Sequence, residues 1–405
     1  NAYAEMDAEM ANVRKFTGMT AEQVALLNQE FQKIDTRTSR EDLNRLAQEA
    51  GRLGKTSQED VLGFVKAADQ INVALDDLGD GATLTLSKLT NIFGDEARLG
   101  TERSLLAVGS VINELSQNCT ASAPYLAQFS QRLAGVGAQA GMTIPQLMAF
   151  AAVLDSQGQA VAMSATALSK LIMDLFKETD KIAQATGLDL EKFKATLESS
   201  TNEGLLMLLD RLHELGGMDV LAPVFKDMGE EGARASAVIS ALAGNVDTVR
   251  WQQEEANKAF QEATSVTKEF NVQNNTVQAG LDKAKKRLNE LAIELGEKLA
   301  PVMKHVISST TLILKVMSSL ITFIGKYKGE IIVVTASIVA YTIAVNAATI
   351  KTKIFAVAQG VAKVAMVAWR AVTLLAAATT ALFSGNITRA TIAFKAFSAT
   401  LKLSP

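Results

Sequence analysis

Gly54-Lys55-Thr56 is the triplet in this chain that comes nearest to a reactive motif, the end of a phosphate-binding loop. A complete loop of that kind also needs a glycine at position 49 and a preceding strand, so that backbone N–H groups surround the phosphates. Position 49 is occupied by Glu49, and a helical pattern runs into the triplet. We therefore interpret the triplet as the end of a helix and not as a nucleotide site.

A second glycine-rich stretch, Gly135-Val-Gly-Ala-Gln-Ala-Gly141, resembles a dinucleotide fingerprint. It has one residue too many for that fingerprint and lies inside a helical pattern, where the fingerprint requires a strand followed by a turn. We interpret its small residues as positions at which two helices pack closely.

The histidines and the cysteine lack the spacing of ligands or catalytic partners. Neither His213 nor His305 has a second His, a Cys or paired carboxylates at zinc-ligand spacing. Cys119 is the single cysteine, which excludes an internal disulfide and a cysteine-based zinc site, and we expect a small buried side chain there. Carboxylates are numerous, but no pair stands out as acid and nucleophile. The sequence predicts no catalytic, cofactor-binding or metal-binding residues, and hence no enzyme.

The elements that would position such residues are helices. Aromatic residues make up 5% of the chain and there are five prolines, while Ala, Leu, Glu, Lys and Gln dominate many windows. No alternating run bounded by turn residues is present, so we predict an all-α protein: a multi-helix core of short helices, followed by long coiled-coil-like and hydrophobic helices.

Helix starts and ends are marked repeatedly in the first part of the chain. Thr20, Ser39 and Ser57 are each followed three residues later by an acid or amide, the pattern of a capped first turn. Glycines punctuate the predicted helix ends at Gly18, Gly54, Gly79, Gly94 and Gly141. Prolines at positions suited to a first helical turn are Pro124 and Pro145.

Gly18-Met19-Thr20 and Gly141-Met142-Thr143 begin two similar helix starts. Their separation is far too long for a solenoid repeat. We interpret them as two instances of the same cap chemistry, with two related helical subunits as the alternative.

From about residue 246 the punctuation stops, which predicts a long helical segment. Apolar residues alternate at spacings of four and three, as in a short coiled-coil seam: Val277, Leu281, Ala284, Leu288, Leu291 and Leu295. Pro301 should kink or restart the helix. The pattern fits a solvated helical hairpin and an oligomeric coiled coil equally well.

Charge divides the chain near residue 300. Residues 1–300 hold 42 acidic and 29 basic side chains, a formal charge of −13, whereas residues 301–405 hold one acidic and 11 basic side chains, a formal charge of +10. The uncharged run 331–350 has the length of a membrane span, and 306–324 and 371–388 approach it. These runs fit helices that insert into a membrane and helices that are buried against partner chains. The sparse basic charges lack the interleaved aromatics of a single-strand nucleic-acid platform.

The chain opens with NAYAEMDAEM, which has neither an initiator Met nor the pattern of a secretory signal, and it closes with LKLSP after an amphipathic run. We interpret it as a piece of a longer protein, whose other domains this sequence does not show.

The order of these features resembles the core region of phage tail tape-measure proteins. Four stretches carry the resemblance: Val13 to Val24, Ala47 to Ala68, Ala140 to Leu171 with its Thr166-Ala-Leu turn, and Asn275 to Pro301 with its Leu-Gly-Glu-Lys-Leu-Ala-Pro ending. Each is weak alone, but they follow the family order and are succeeded by an uncharged apolar region. Ser164-Ala165 departs from the family pattern, which usually has Ala-Gly before the Thr.

The resemblance implies a structural virion protein of a long-tailed phage or prophage. Such a protein sets the length of the tail as a ruler and scaffold in the tail tube lumen, and leaves the tail at infection to help DNA cross the host envelope. Implied partners are other copies in a homo-oligomer bundle, the tail tube protein, a tail assembly chaperone, tail-tip or baseplate proteins, and the host membrane on ejection. DNA would pass without sequence-specific binding. Assembly would take place in the host cytoplasm.

The resemblance and the residue patterns together predict three regions. Residues 1–245 form the helical tape-measure core, 246–303 a long helix or coiled-coil segment, and 304–405 basic hydrophobic helices that form a candidate membrane-inserting region. The alternative function is a helical membrane-inserting protein unrelated to phage tails, such as a pore-forming toxin or a membrane-tethered coiled coil.

Overall fold

A computed structural model describes residues 2–79, 81–217, 222–226 and 233–303. All regular structure in these ranges is helical, with no strand, which confirms the all-α prediction for the part of the chain described. The chain divides into two compact units, one formed by Glu9–Asn275 and the other by Asn1–Ala8 with Thr276–Pro405.

Short helices follow one another through the first unit, and the longest helix follows it. In chain order they are α1 Ala2–Thr17, α2 Ala21–Lys33, α3 Arg40–Arg52, α4 Gln58–Ala74, α5 Ala82–Ile92, α6 Asp95–Leu99, α7 Thr101–Asn118, α8 Ala123–Gln139, α9 Ile144–Ser156, α10 Val161–Lys177, α11 Thr179–Thr186, α12 Leu190–Ser199, α13 Thr201–Leu215, α14 Ala233–Ala243, α15 Val246–Glu262, α16 Ser265–Asn274 and α17 Val277–Met303.

The predicted helix starts are confirmed. The side chains of Thr20, Ser39 and Ser57 each accept a hydrogen bond from the backbone N–H three residues later. Pro124 and Pro145 lie in the first turns of α8 and α9. These caps depend on residues three positions apart, which is why the sequence pattern located them.

The two Gly-Met-Thr sequences adopt the same local structure. Gly18 and Gly141 have φ values of 73° and 71°, in the left-handed region that glycine enters without a Cβ clash. Thr20 and Thr143 then form reciprocal capping boxes with glutamines three residues later. The shared cap chemistry is confirmed.

The core of the Glu9–Asn275 unit is built around α7 and α9. From Ile144 to Leu154 every residue of α9 except Gln146 is buried, as expected for a helix surrounded by others. A Cβ on Gly137 of α8 would lie 2.7 Å from Leu147 Cδ1, so this glycine allows the close packing predicted for the stretch, whereas Gly135 faces open space.

The expectation of an uninterrupted helix from residue 246 is wrong for residues 246–275. Helix α15 ends at Glu262, and α16 runs only from Ser265 to Asn274 before α17 begins at Val277. Both α15 and α16 pack within the Glu9–Asn275 unit, α16 against α4 and α7. Tertiary contacts therefore accompany a helix break in a segment that contains neither glycine nor proline.

The long helix predicted for this region is α17. Along the predicted seam, Val277 is 68% exposed and Leu288 39% exposed, whereas Ala284 is buried. Within the same unit, a Cβ on Gly296 would lie 2.4 Å from Tyr3 Cβ, so this glycine permits a close approach to α1. The coiled coil itself stays a prediction.

In the ranges that the structure describes, no helix combines the length and apolarity that crossing a bilayer requires. The candidate spans 306–324, 331–350 and 371–388, and His305, lie outside those ranges.

Candidate functional site

The triplet Gly54-Lys55-Thr56 serves the fold. Gly54 has φ +84° at the end of α3, as a helix C-terminus requires. The ammonium group of Lys55 forms an ion pair with Glu96 of α6, and both side chains are largely buried. Burial lowers the pKa of Lys55, while the carboxylate of Asp60 acts in the opposite direction. The lysine connects two helix junctions and does not face a phosphate cradle.

Thr101 completes this cluster. Its hydroxyl lies 3.1 Å from Asp60 Oδ1 and 3.1 Å from Glu96 Oε1. The carboxylate of Glu96 therefore has both a cation and a hydroxyl as partners, as a charge held away from water requires.

The other residues considered for chemistry are dispersed. His213 is exposed on α13, and Cys119 is half-buried with its Sγ 3.0 Å from the carbonyl oxygen of Leu115. Across the described ranges, no three His, Cys, Asp or Glu side chains are placed to share a metal ion.

The structure instead concentrates long-range polar contacts on α16, the last helix of the Glu9–Asn275 unit. We call these contacts the exit clamp, because the chain leaves the unit immediately after them. Its residues on α16 are Ser265, Val266, Thr267 and Asn274, and their partners are Asp35, Arg37, Gln70, Ser110, Asn113 and Glu114.

The start of α16 is held by α7. Ser265 Oγ accepts a hydrogen bond from Asn113 Nδ2 at 2.8 Å and donates one to Glu114 Oε2 at 2.8 Å. The next backbone N–H, that of Val266, donates to Ser110 Oγ at 3.3 Å. One backbone donor that the first helical turn leaves unbonded, the Val266 N–H, is thereby satisfied from a neighbouring helix.

The middle of α16 is held by α4 and by apolar packing. The Thr267 hydroxyl donates to Gln70 Oε1 at 2.6 Å. Val266 and Phe270 are buried one turn apart on the same face. A Cβ on Gly109 of α7 would lie 2.8 Å from Ile71 Cγ1 and 3.5 Å from Val266 Cγ1, so the glycine lets three helices meet here.

The end of α16 is held by the segment between α2 and α3. Asn274 Oδ1 accepts from the backbone N–H of Arg37 at 2.9 Å, and its Nδ2 donates to the carbonyl oxygen of Asp35 at 2.8 Å. Asn274 is only 3% exposed, so both ends of a buried amide are satisfied by backbone groups far away in sequence.

The exit clamp anchors the end of the unit to three earlier parts of the chain, α7, α4 and the segment between α2 and α3. Sequence reasoning missed all of its residues. Serine, threonine and asparagine on a helix carry no local signal that their partners lie more than 150 residues away.

Residues 22–219, slightly less than half of the chain, match the family of phage-related minor tail proteins. This match supports a structural role in a phage tail, and with it a place in the virion. Comparison with curated proteins found no match. Comparison with solved structures found none either.

Proposed function

We propose, from the match to phage-related minor tail proteins, that this chain is the tape measure protein of a long-tailed phage or prophage. It acts as a ruler and scaffold inside the tail tube and has a structural role, not a catalytic one. The observation that supports this is the order of its parts: a compact unit whose end is clamped, followed directly by the 27-residue helix α17. At about 1.5 Å per residue, α17 alone spans roughly 40 Å.

The two parts have different tasks in this proposal. The compact unit contributes little length, because its caps and glycines fold the chain back on itself. Helix α17 and any helix beyond it convert residue number directly into distance. In this proposal the exit clamp holds the end of the compact unit to its own core, so that residues added or removed after Asn275 do not unravel that unit.

The remaining parts of the proposal concern partners. Copies of α17 would associate along the Val277–Leu295 seam inside the tube protein, with an assembly chaperone covering the basic apolar region in the host cytoplasm. Tail-tip or baseplate proteins would contact the bundle. On infection the 304–405 region would enter the host membrane and assist the passage of DNA. The charge contrast between residues 1–300 and 301–405 supports a chain with one soluble and one membrane-active part.

The ruler is tested by a length series in α17. Residues 281–294, two heptads, are deleted in one variant and duplicated once, twice or three times in others. In the deletion Leu295 takes the seam position of Leu281, so the apolar spacing stays in phase. Tail lengths from electron micrographs should change by about 1.5 Å per residue across the series.

The control is Asn271→Ala, a substitution at an exposed position of α16 that should leave tail length unchanged. Tails formed in normal numbers with one constant length across the whole series would contradict the ruler. If the deletion variant alone forms no tails, the duplication variants decide the question. Tails that lengthen with each duplication support a ruler, and tails of constant length support a purely structural helix.

A further inference from the structure

Neither glycine nor proline causes the helix break between α15 and α16. Residues 245–279 contain neither glycine nor proline. Yet α15 ends at Glu262 and α16 begins at Ser265. The break places Ala263 at φ 54°, and it is the one residue other than glycine with positive φ in the described ranges. A residue with a Cβ is strained in this left-handed conformation.

The apolar pattern runs through the break without a change of phase. On α15 it includes Val249, Ala256 and Phe260, it passes through Ala263 itself, and on α16 it continues with Val266 and Phe270. From Ala256 onward these positions are three or four residues apart, the spacing of one uninterrupted helical face. The segment 246–274 is therefore patterned as one amphipathic helix.

Distant contacts hold the segment in its broken form. The exit clamp provides them, through α4, α7 and the Asp35–Arg37 segment. Three features favour a straight helix: the continuous apolar pattern, relief of strain at Ala263 and the two residues that the helix would gain. Burial of Val266 and Phe270 and the clamp hydrogen bonds favour the broken form, and together they make it the resting state.

We infer that residues 246–274 form a two-state element, with α16 folded back in the resting unit and α15 and α16 merged into one straight helix when the clamp is released. The straight helix spans roughly 43 Å. Its release requires tension on the chain after Asn275, or a partner that covers the apolar face. The inference stands independently of the ruler function, since it concerns contacts within the Glu9–Asn275 unit alone.

Spin labels on the full chain test this. Glu254 and Asn271 are exposed, on α15 and α16, and are each replaced by a labelled cysteine in a Cys119→Ser background. In a straight helix the two backbones lie roughly 25 Å apart, and any bend at Ala263 shortens that distance. In the labelled protein with an unaltered clamp, pulsed electron paramagnetic resonance should give a distance between the two labels shorter than that of the straight helix.

The releasing variant combines Thr267→Val, Phe270→Ala and Asn274→Ala. It should raise the ratio of straight to folded-back chains by at least about tenfold, with a sharp distance peak near 25 Å. Adding Ala263→Gly should reverse much of the change, because glycine accepts the left-handed conformation and disfavours a helix interior. Asn275→Ala is the matched control, since its amide bonds locally, to the carbonyl oxygen of Asn271 four residues earlier.

Two results would overturn the inference. One is a broad distance distribution with a loss of helical circular dichroism, which would mean that α16 unravels and does not merge with α15. The other is the short distance retained in the releasing variant, which would mean that the break at Ala263 is fixed by more than the clamp.

Discussion

Asn202 and Gln253 exchange two side-chain hydrogen bonds across the interface of α13 and α15. Asn202 Nδ2 donates to Gln253 Oε1 at 2.9 Å, and Gln253 Nε2 donates to Asn202 Oδ1 at 2.8 Å. Both side chains are buried. Asn28 and Asn44 form the same reciprocal pair between α2 and α3. Such pairs fix the register of two helices, because a shift of one residue would leave two buried amides without partners.

The first prediction concerns that pair. Asn202→Leu should lower the free energy of unfolding by about 1–3 kcal/mol, because it leaves the Gln253 amide buried without its partner. Asn202→Leu with Gln253→Leu should cost less than the sum of the two single changes. Denaturant unfolding of the four proteins measures this coupling. Gln139→Leu, at an exposed amide, is the control. Additive effects would show that the two amides do not act as a pair.

The second prediction compares two helical glycines. A Cβ on Gly51 of α3 would lie 2.7 Å from the Phe16 carbonyl carbon, a backbone atom that cannot move aside cheaply. Gly51→Ala should therefore destabilise the protein by about 1–3 kcal/mol. Gly135→Ala in α8 meets no atom within 4 Å and should stabilise it by about 0.5–1 kcal/mol, through helix propensity. Thermal unfolding shows whether each substitution stabilises or destabilises the protein. A change in the same direction for both variants would refute the packing argument.

The third prediction concerns alkaline pH. Burial raises the pKa of Tyr125 to about 12, against the hydrogen bond from its hydroxyl to Ser164. The unfolded chain ionises this group near its ordinary pKa of 10, so the associated stability is full below pH 10 and is lost as the pH rises from 10 to 12. The loss is on the order of 2 kcal/mol.

Tyr125→Phe lacks this titration. Between pH 10 and 12 its unfolding free energy should fall less steeply than that of the unaltered protein, and ultraviolet absorbance should show one late-ionising tyrosine disappear. Parallel pH profiles for the two proteins would place Tyr125 in contact with solvent.

The fourth prediction concerns Lys55. Lys55→Met leaves the carboxylate of Glu96 largely buried without its cation, and should cost about 3 kcal/mol of stability. Adding Glu96→Leu should recover part of that loss, since both charges are then absent. Lys33→Met removes an exposed ion pair with Glu30 and should change stability by less than about 1 kcal/mol. Denaturant midpoints rank the three variants, and an equal cost at Lys33 and Lys55 would contradict the buried role of Lys55.

Sequence alone determined the helical class and much of the local structure of this protein. The caps at Thr20, Ser39 and Ser57 and the turns at Gly18 and Gly141 were readable, because each depends on residues within one helical turn. The buried residues Val24, Leu27 and Phe31 of α2 are three and four positions apart, which is the spacing of one helical face.

Only the tertiary structure decided where the long helix begins and which partners the polar side chains of α16 bind. The apolar pattern after residue 246 is continuous, yet the helix breaks at Ala263 and α16 finds partners on α4, α7 and the Asp35–Arg37 segment. Asn274 and Arg37 are 237 positions apart, and no local pattern specifies such a pairing. Local hydrogen bonds can be predicted from residues that are neighbours in the sequence. Buried polar contacts between distant helices form only once packing has brought their donors and acceptors together.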